Sequence, residues 1–490
     1  MKKWIPVLLI VALLSSVAAG RPAAHALDSV PAEPADIGSM DESTLGQLPV
    51  LEVTDGTTTT IYTLADANYE YQSTYMQFYQ QFGAYGLISN SVPLDQQPCI
   101  FASDGATWDD YFKDSAESNL VERTAILNAA AKAGYTELTE EEQAQIDEVI
   151  AEYAEYADIY GYESVDRYLA MNFGPGNNEK TVRENLKGQL LGTRFLQDLY
   201  NSYTYTDEEL DAYCEENADE LNTVFYYYTV FTPEADEENE ISLEDAMAQA
   251  REDAETIVAD ADGDETLFRT AVAGVTGEAA INTSNTVSSF LNMFEGSVTR
   301  ADLTAGTVFT HENENNVYVV YVSDCEDNNY STVNVRHILV KAVDADGDGT
   351  FSEEEKQVAY DAVKAIEEEW LAGEATEESF AALANEKSED TGSNTNGGLY
   401  ENIHKGQMVE EFNDFCFADH ETGDTDIVYG ESASYAGYHL IYYVGETGEL
   451  YSRTLAENEL RSEDYNTAYS DMMEPYTSSR TFMWRYVMNG

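Results

Sequence analysis

The chain has 490 residues, of which 93 are acidic and 24 basic, giving a formal charge of −69. That length leaves room for roughly two to four domains with an ample core, and so negative a field excludes nucleic acid and anionic membranes as electrostatic partners. The charge favours solubility and attracts cations and basic unfolded segments, although a saline habitat would also explain it.

Lys2 and Lys3 precede an apolar run from Trp4 to Ala19, and Ala24-His25-Ala26 has the small-x-small form of a cleavage site, so residues 1–26 read as a secretory signal peptide. The alternative is an uncleaved anchor, but the run is short for a span and contains Pro6. No cysteine precedes Cys99, which leaves no lipid-attachment site at the cleavage point. The expectation is a secreted protein outside the membrane, with no stable span after cleavage. The four cysteines, Cys99, Cys214, Cys325 and Cys416, are scattered and form no CxxC pair, so neither a zinc site nor a disulfide framework is indicated.

Residues 27–47 are acidic and rich in Pro, Ala and Ser, and read as a flexible tether. β-Branched residues around Asp55-Gly56 predict a hairpin over Val50–Thr63. Helices follow. Trp108, Tyr111, Phe112, Ala116 and Leu120 share one helical face, and Gly134 ends that helix. Thr139-x-x-Glu142 and Thr206-x-x-Glu209 are capping boxes, and Gly174-Pro175-Gly176 breaks the series. Residues 48–222 are expected to form a mostly helical domain, joined by a C-terminal helical segment, 455–490.

Between these lies an internal repeat. Thr223-Val-Phe-Tyr-Tyr-Tyr-Thr-Val-Phe aligns with Thr332-Val-Asn-Val-Arg-His-Ile-Leu-Val. Each strand leads to a helix (242–259 and 353–372), then a Gly-containing turn, then Phe268 or Phe380, and each copy closes on a tyrosine-rich strand. Tyr228 stands where His337 stands, and Tyr318 where His439 stands. The alternative for 223–330 is an unrelated α+β segment.

The second copy carries Val335-Arg-His-Ile-Leu-Val-Lys341, Ser388-Glu-Asp-Thr, Gly397-Gly-Leu, Gly406-Gln-Met, Phe412 and Gly437-Tyr-His-Leu-Ile-Tyr-Tyr443, in that order. The set resembles the parvulin family of peptidyl-prolyl isomerases over residues 331–446, and the whole arrangement is similar to bacterial extracytoplasmic foldases of the PrsA and SurA type. The resemblance implies an α+β fold: a helical chaperone-like domain, a degenerate parvulin-like domain (223–330) and an intact one (331–446). It implies that Leu399, Met408 and Phe412 form an apolar proline socket, that His337 and His439 lie under the substrate amide, that Asp390 stands near the substrate carbonyl, and that Ser434 supplies a hydroxyl to the histidines. Physically, neutral imidazoles on adjacent strands can fix each other's tautomers. Tyr400 replaces a glycine usual in the family, and the loop before Gly406 is longer by about one residue; both changes adjoin the socket. The acidic loop after the first strand argues against phosphate-directed substrates.

That loop, residues 344–355, fits the twelve-residue EF-hand pattern. Asp344, Asp346 and Asp348 supply oxygens, Gly349 permits the turn, Thr350 offers its carbonyl, Ser352 a hydroxyl or bridged water, and Glu355 a bidentate carboxylate. A strand precedes it and no paired loop is evident, which predicts a single structural Ca²⁺ site. Asp260-Ala-Asp-Gly-Asp is a poorer match, lacking the glycine and the final glutamate.

The resemblance therefore implies a secreted isomerase and chaperone acting on unfolded or newly exported proteins with X–Pro bonds, needing no cofactor for catalysis. The alternatives are a non-catalytic holdase on an inactive parvulin scaffold and a calcium-dependent surface interaction protein. The sequence leaves clients and oligomeric state open.

Overall fold

A computed structural model describes residues 40–488, apart from 90, 103–104, 236–240, 348 and 433–434. The expected signal peptide and the first part of the expected tether lie outside the described residues, as do Asp348 and Ser434. The fold is mixed, with long helices and antiparallel sheets. The chain divides into two units, residues 1–204 with 461–490, and residues 205–460. No helix among the described residues is long and apolar enough to cross a membrane.

The first unit pairs a small sheet with long helices. β1 (Pro49–Thr54) and β2 (Thr59–Thr63) form the hairpin, turning through Gly56 at φ 82°. The helices Leu64–Phe82, Trp108–Lys132, Glu140–Ile159 and Glu179–Ser202 each open on a capping box, in which the N-cap side chain and the third helical residue satisfy each other's backbone N–H groups. Trp108, Phe112, Ala116 and Leu120 are fully buried along one stripe, as helical spacing requires.

Two expectations need correction here. The tether does not extend to residue 47. Glu42–Gly46 is a short helix capped by Asp41, and it docks so closely that a Cβ on Gly46 would lie 2.3 Å from the Cα of Gly176. Gly174-Pro175-Gly176 thus breaks the helix series and also makes room for a backbone crossing. Nor is the tail helical throughout. The helix Tyr451–Met473 ends, and Thr477–Arg480 becomes an edge strand, antiparallel to β1 with Arg480 opposite Leu51. The open edge of β1 takes up a polar segment that has no helical stripe of its own. Arg480 is held by Asp114 at 2.6 Å and Glu117 at 2.5 Å, and Trp484 and Val487 enter the core beyond it.

The second unit contains two four-stranded antiparallel sheets. The first comprises β3 (Thr223–Phe231), β4 (Ile281–Thr286), β5 (Val308–Glu312) and β6 (Val317–Glu326), in the order β4-β3-β6-β5. The second comprises β7 (Ser331–Lys341), β8 (Leu399–Ile403), β9 (Thr425–Ser432) and β10 (Tyr435–Leu450), in the order β8-β7-β10-β9. The topology is the same, and so is the register of the central pair. Tyr228 lies opposite Val320 and Val230 opposite Tyr318; correspondingly, His337 lies opposite Ile441 and Leu339 opposite His439. The helices correspond too: Leu243–Ala261 with Glu353–Ala372, Glu265–Thr276 with Glu377–Lys387, and Val287–Met293 with Glu410–Cys416. Phe268 and Phe380 are both fully buried at matching places.

The helices Asp207–Glu216 and Ala218–Leu221, expected in the helical domain, belong instead to this unit. Leu210 and Leu221 bury against Ala456, and Arg453 reaches Asp207 at 2.8 Å and Asp211 at 2.7 Å. The capping box at Thr206 was legible; the partner of the helix it opens was not.

Trp484→Ala is expected to destabilise the first unit by about 3–5 kcal/mol, the usual cost of removing a buried aromatic. Chemical denaturation followed by circular dichroism checks this; a midpoint equal to the parent's would show that the tail contributes little to that core.

Candidate functional site

β7 and β10 are the inner strands of their sheet, so their side chains alternate between two covered faces. Ile338, Leu440 and Tyr442 face Val363, Trp370 and Phe380 of the long helices. Val333, Val335, Ile441 and Tyr443 face the helix Glu410–Cys416, packing with Phe412 and Phe415. His337 and His439 continue this second row, each only 4% exposed.

The imidazoles stack with centroids 5.3 Å apart, and Nδ1 of one lies 3.1 Å from Nδ1 of the other. Phe412 stands edge-on to both, at 5.5 Å and 5.3 Å. Nε2 of His337 is 2.9 Å from Asp390 Oδ2. Asp390 is brought there by a loop stitched to β7: the Glu389 N–H donates to the Leu339 carbonyl, and Ser388 Oγ accepts from the Leu339 N–H at 3.1 Å. Glycines make room on both sides. A Cβ on Gly398, at φ +69°, would lie 2.3 Å from the His337 carbonyl, and one on Gly430 would lie 2.8 Å from His439 Nε2.

The electrostatics follow from these contacts. Asp390 Oδ2 accepts from His337, from the Ser393 hydroxyl and from the Tyr400 hydroxyl at 3.1 Å, while Oδ1 accepts from the Gly392 N–H. Hydrogen bonding from His337 first, then from Ser393 and Gly392, holds the carboxyl well below its ordinary range despite partial burial. It is a fixed anion with its lone pairs engaged, not a nucleophile. Burial, and then the neighbouring His337, push His439 down to about 3. Burial and Asp390 push the Tyr400 hydroxyl up to about 12.

His337, His439, Asp390 and Phe412 thus come together. Met408 packs with Phe412, although it precedes the helix rather than lying on it. Leu399 sits at the start of β8 opposite Arg336, partly buried, and is not part of the apolar cluster that holds Met408 and Phe412. Ser434 is outside the described residues, and the hydroxyl that meets His439 belongs to Tyr435, 3.0 Å from Nε2. Sequence reasoning missed Ser393 and Tyr435, and took Tyr400 only as a change beside the socket. A serine in a turn and one tyrosine among 35 carry no individual signal.

In the acidic loop, Asp344, Asp346 and Glu355 bring carboxylate oxygens within 4.8 Å of one another. Gly347 and Gly349 have φ of 75° and 84°, and their N–H groups donate to Asp344. Glu355 Oε1 accepts from the Ala345 N–H, and Oε2 from Ser352, which caps the following helix. Those hydrogen bonds, the Ala345 one foremost, hold Glu355 below the usual carboxylate range.

Residues 318–446 match the family model of the PPIC-type PPIASE domain. The histidines, Asp390 and Phe412 all fall inside that match, and the segment is a parvulin-type domain. Foldase protein PrsA of Exiguobacterium sibiricum is 31% identical over 107 residues, covering 20% of this chain and 34% of PrsA, so the chain spans about a third of that relative's length. Among solved structures, PrsA of Bacillus cereus is 20% identical, covering 61% of this chain and 88% of its own, with a TM-score of 0.20. For PrsA of Bacillus subtilis the values are 16%, 78%, 91% and 0.27. For the SurA-like chaperones of Campylobacter jejuni they are 12%, 76%, 95% and 0.14.

Acid is expected to destabilise this domain. His439 binds its proton near pH 6.5 when unfolded and near 3 when folded, so below pH 6.5 the unfolded chain holds more protons and stability falls with pH, by up to about 1.4 kcal/mol per unit. Asp390 adds to the loss below its ordinary pKa, 3.8. Thermal melts from pH 7 to pH 4 test this: the slope should shrink in His439→Asn, and an unchanged slope would assign it to other groups.

Proposed function

We propose that this protein is a parvulin-type peptidyl-prolyl cis/trans isomerase that also holds unfolded, newly exported proteins, working outside the cell membrane. The observation that carries the reading is the hydrogen-bonded His337–His439 pair with Phe412 edge-on to both rings, inside a segment of PPIC type. The holdase part and the location rest on the similarity to PrsA over part of the chain and on the signal-like N-terminus.

Rotation about an X–Pro bond meets a barrier of roughly 18–20 kcal/mol, and no covalent bond breaks. The planar amide places negative charge on its oxygen by conjugation; the twisted amide does not. A fixed anion such as Asp390 beside the carbonyl disfavours the planar form more than the twisted one, and an apolar socket of Met408 and Phe412 holds the proline ring while the carbonyl turns. Only such a differential contact accelerates the reaction. Lowering the barrier by roughly 5 kcal/mol gives on the order of several thousandfold.

The test is X–Pro exchange in a short peptide, measured by NMR with the full chain. Met408→Ala is expected to lower kcat/KM about tenfold, equivalent to roughly 1.4 kcal/mol of transition-state contact. Met408 is partly exposed, whereas Phe412 is only 2% exposed, so truncating Phe412 would confound catalysis with stability. Replacing both histidines should remove all activity, because tyrosines take their places in the first sheet; residual turnover would assign catalysis there. The burial of Phe412 and the presence of Tyr400 beside it favour the second reading, a non-catalytic holdase. Suppressed aggregation of an unfolded client with no acceleration of X–Pro exchange would select that reading.

Asp344, Asp346 and Glu355, with Asp348, Thr350 and Ser352 from the same loop, would hold a structural Ca²⁺. Hard oxygen ligands suit that ion, and a dication would relieve their mutual repulsion at the start of the helix. The fit rests on the 4.8 Å grouping and the two left-handed glycines. Ca²⁺ at a hundredfold excess over its dissociation constant should stabilise the domain by roughly 2.7 kcal/mol. Melting with Ca²⁺ and with chelator, in the parent and in Asp344→Ala/Glu355→Gln, decides the matter; equal responses would make the loop an acidic connector.

A further inference from the structure

The polar groups around the histidines form one chain, and its ends are tyrosines. From one side it runs Tyr435 Oη to His439 Nε2 at 3.0 Å, His439 Nδ1 to His337 Nδ1 at 3.1 Å, and His337 Nε2 to Asp390 Oδ2 at 2.9 Å, ending on the Tyr400 hydroxyl at 3.1 Å. The direction of the protons can be worked out from the Asp390 end. An ionised carboxylate only accepts, so His337 carries its proton on Nε2. In the neutral pair its Nδ1 then accepts, so His439 must carry its proton on Nδ1. His439 Nε2 is left as an acceptor, and the hydroxyl that fills it is Tyr435. The ring of Tyr435 stands 5.8 Å from the imidazole, and Gly430 across β9 leaves that edge of His439 clear for it.

We infer that Tyr435 is a positioning residue, whose hydroxyl holds His439 in the Nδ1–H form and so keeps the two histidines joined. Tyr400 clamps the opposite end by fixing Asp390. The inference rests on the isomerase reading for its catalytic consequence, but not for its structural one. Without the Tyr435 hydroxyl, His439 Nε2 loses its donor among the described contacts, and only the link to His337 still favours the Nδ1–H form. With one of its two supports gone, the Nδ1–H form competes with the Nε2–H form, which sets two acceptor nitrogens against each other at Nδ1 and breaks the pair. Tyr400 has a different consequence. Asp390 keeps His337, Ser393 and Gly392 when that hydroxyl goes, so the tautomer of His439 should survive its loss.

The full chain labelled with ¹⁵N-histidine tests this at pH 7. The chain has six histidines, and His439→Asn identifies the one in question. The parent should show His439 as Nδ1–H and His337 as Nε2–H. In Tyr435→Phe, which keeps the ring, His439 should move to Nε2–H or to exchange between forms. X–Pro exchange should then lose about tenfold in kcat with KM changed less than twofold, roughly 1.4 kcal/mol of transition-state stabilisation, and the melting temperature should stay near the parent's. Tyr400→Phe should lower kcat while leaving His439 as Nδ1–H. A parent spectrum with His439 as Nε2–H, or a His337 protonated on both nitrogens, overturns the inference even if the Tyr435 variant does not fold. So does a Tyr435→Phe spectrum unchanged from the parent. A parent with the expected tautomers but no isomerisation removes the isomerase reading and leaves the positioning role standing.

Discussion

Two imidazoles sit in the middle of a buried sheet face, where each ring nitrogen needs a partner that water cannot supply. The surrounding geometry follows from that requirement. The register of β7 against β10 sets the rings close enough to stack, Gly398 and Gly430 clear the space they occupy, and the loop from Ser388 to Ser393 delivers a carboxylate to the outer nitrogen of His337. Apolar residues above and below exclude solvent, which makes every hydrogen bond in the chain stronger and every missing one costly. A site of this kind is accurate because it is expensive to misplace.

The first sheet of the same unit shows the scaffold without that requirement. Strand order, register and the three covering helices are the same. Tyr228 and Tyr318 stand in the histidine places with ring centroids 6.5 Å apart, and Tyr226 packs edge-on to Phe290. Aromatic rings satisfy the apolar face by area and keep a hydroxyl that can reach outward, so no relay of acceptors is needed. The first sheet forms without histidines at those places, because its alternating apolar rows are buried as they are in the second.

The acidity of the chain is partly structural. Asp66, Asp110, Glu142 and Glu209 close capping boxes, and acids crowd the first turns of Glu140–Ile159, Asp207–Glu216 and Glu353–Ala372. Carboxylates at these points accept from unpaired N–H groups and oppose the positive end of the helix dipole. Others hold the scarce arginines: Arg480 between Asp114 and Glu117, Arg453 between Asp207 and Asp211, and Arg336 against Glu377, where it also donates to the Gly397 carbonyl and steadies the glycine turn beside His337. Glu70 and Glu367 are buried, and many of the other acids face water and set the field of the surface.

What the sequence determined by itself was whatever depends on neighbours along the chain. Capping boxes at Thr139 and Thr206, the turn at Asp55-Gly56, the stripe from Trp108 to Leu120 and the period-two strands were legible because each is a local pattern. The repeat was legible because strand, helix, phenylalanine and strand recur in order, and the histidine pair because each sits in such a strand. Tertiary structure decided the rest. Thr477–Arg480 is a strand only because β1 has an open edge, and Asp207–Leu221 joins the second unit only because Ala456 offers a surface to Leu210 and Leu221. Ser393, Tyr400 and Tyr435 enter the site because a turn, an edge strand and the start of β10 converge on two imidazoles. Hydrogen bonds between distant segments depend on register and loop path to within a fraction of an ångström, and no spacing in the chain encodes that distance.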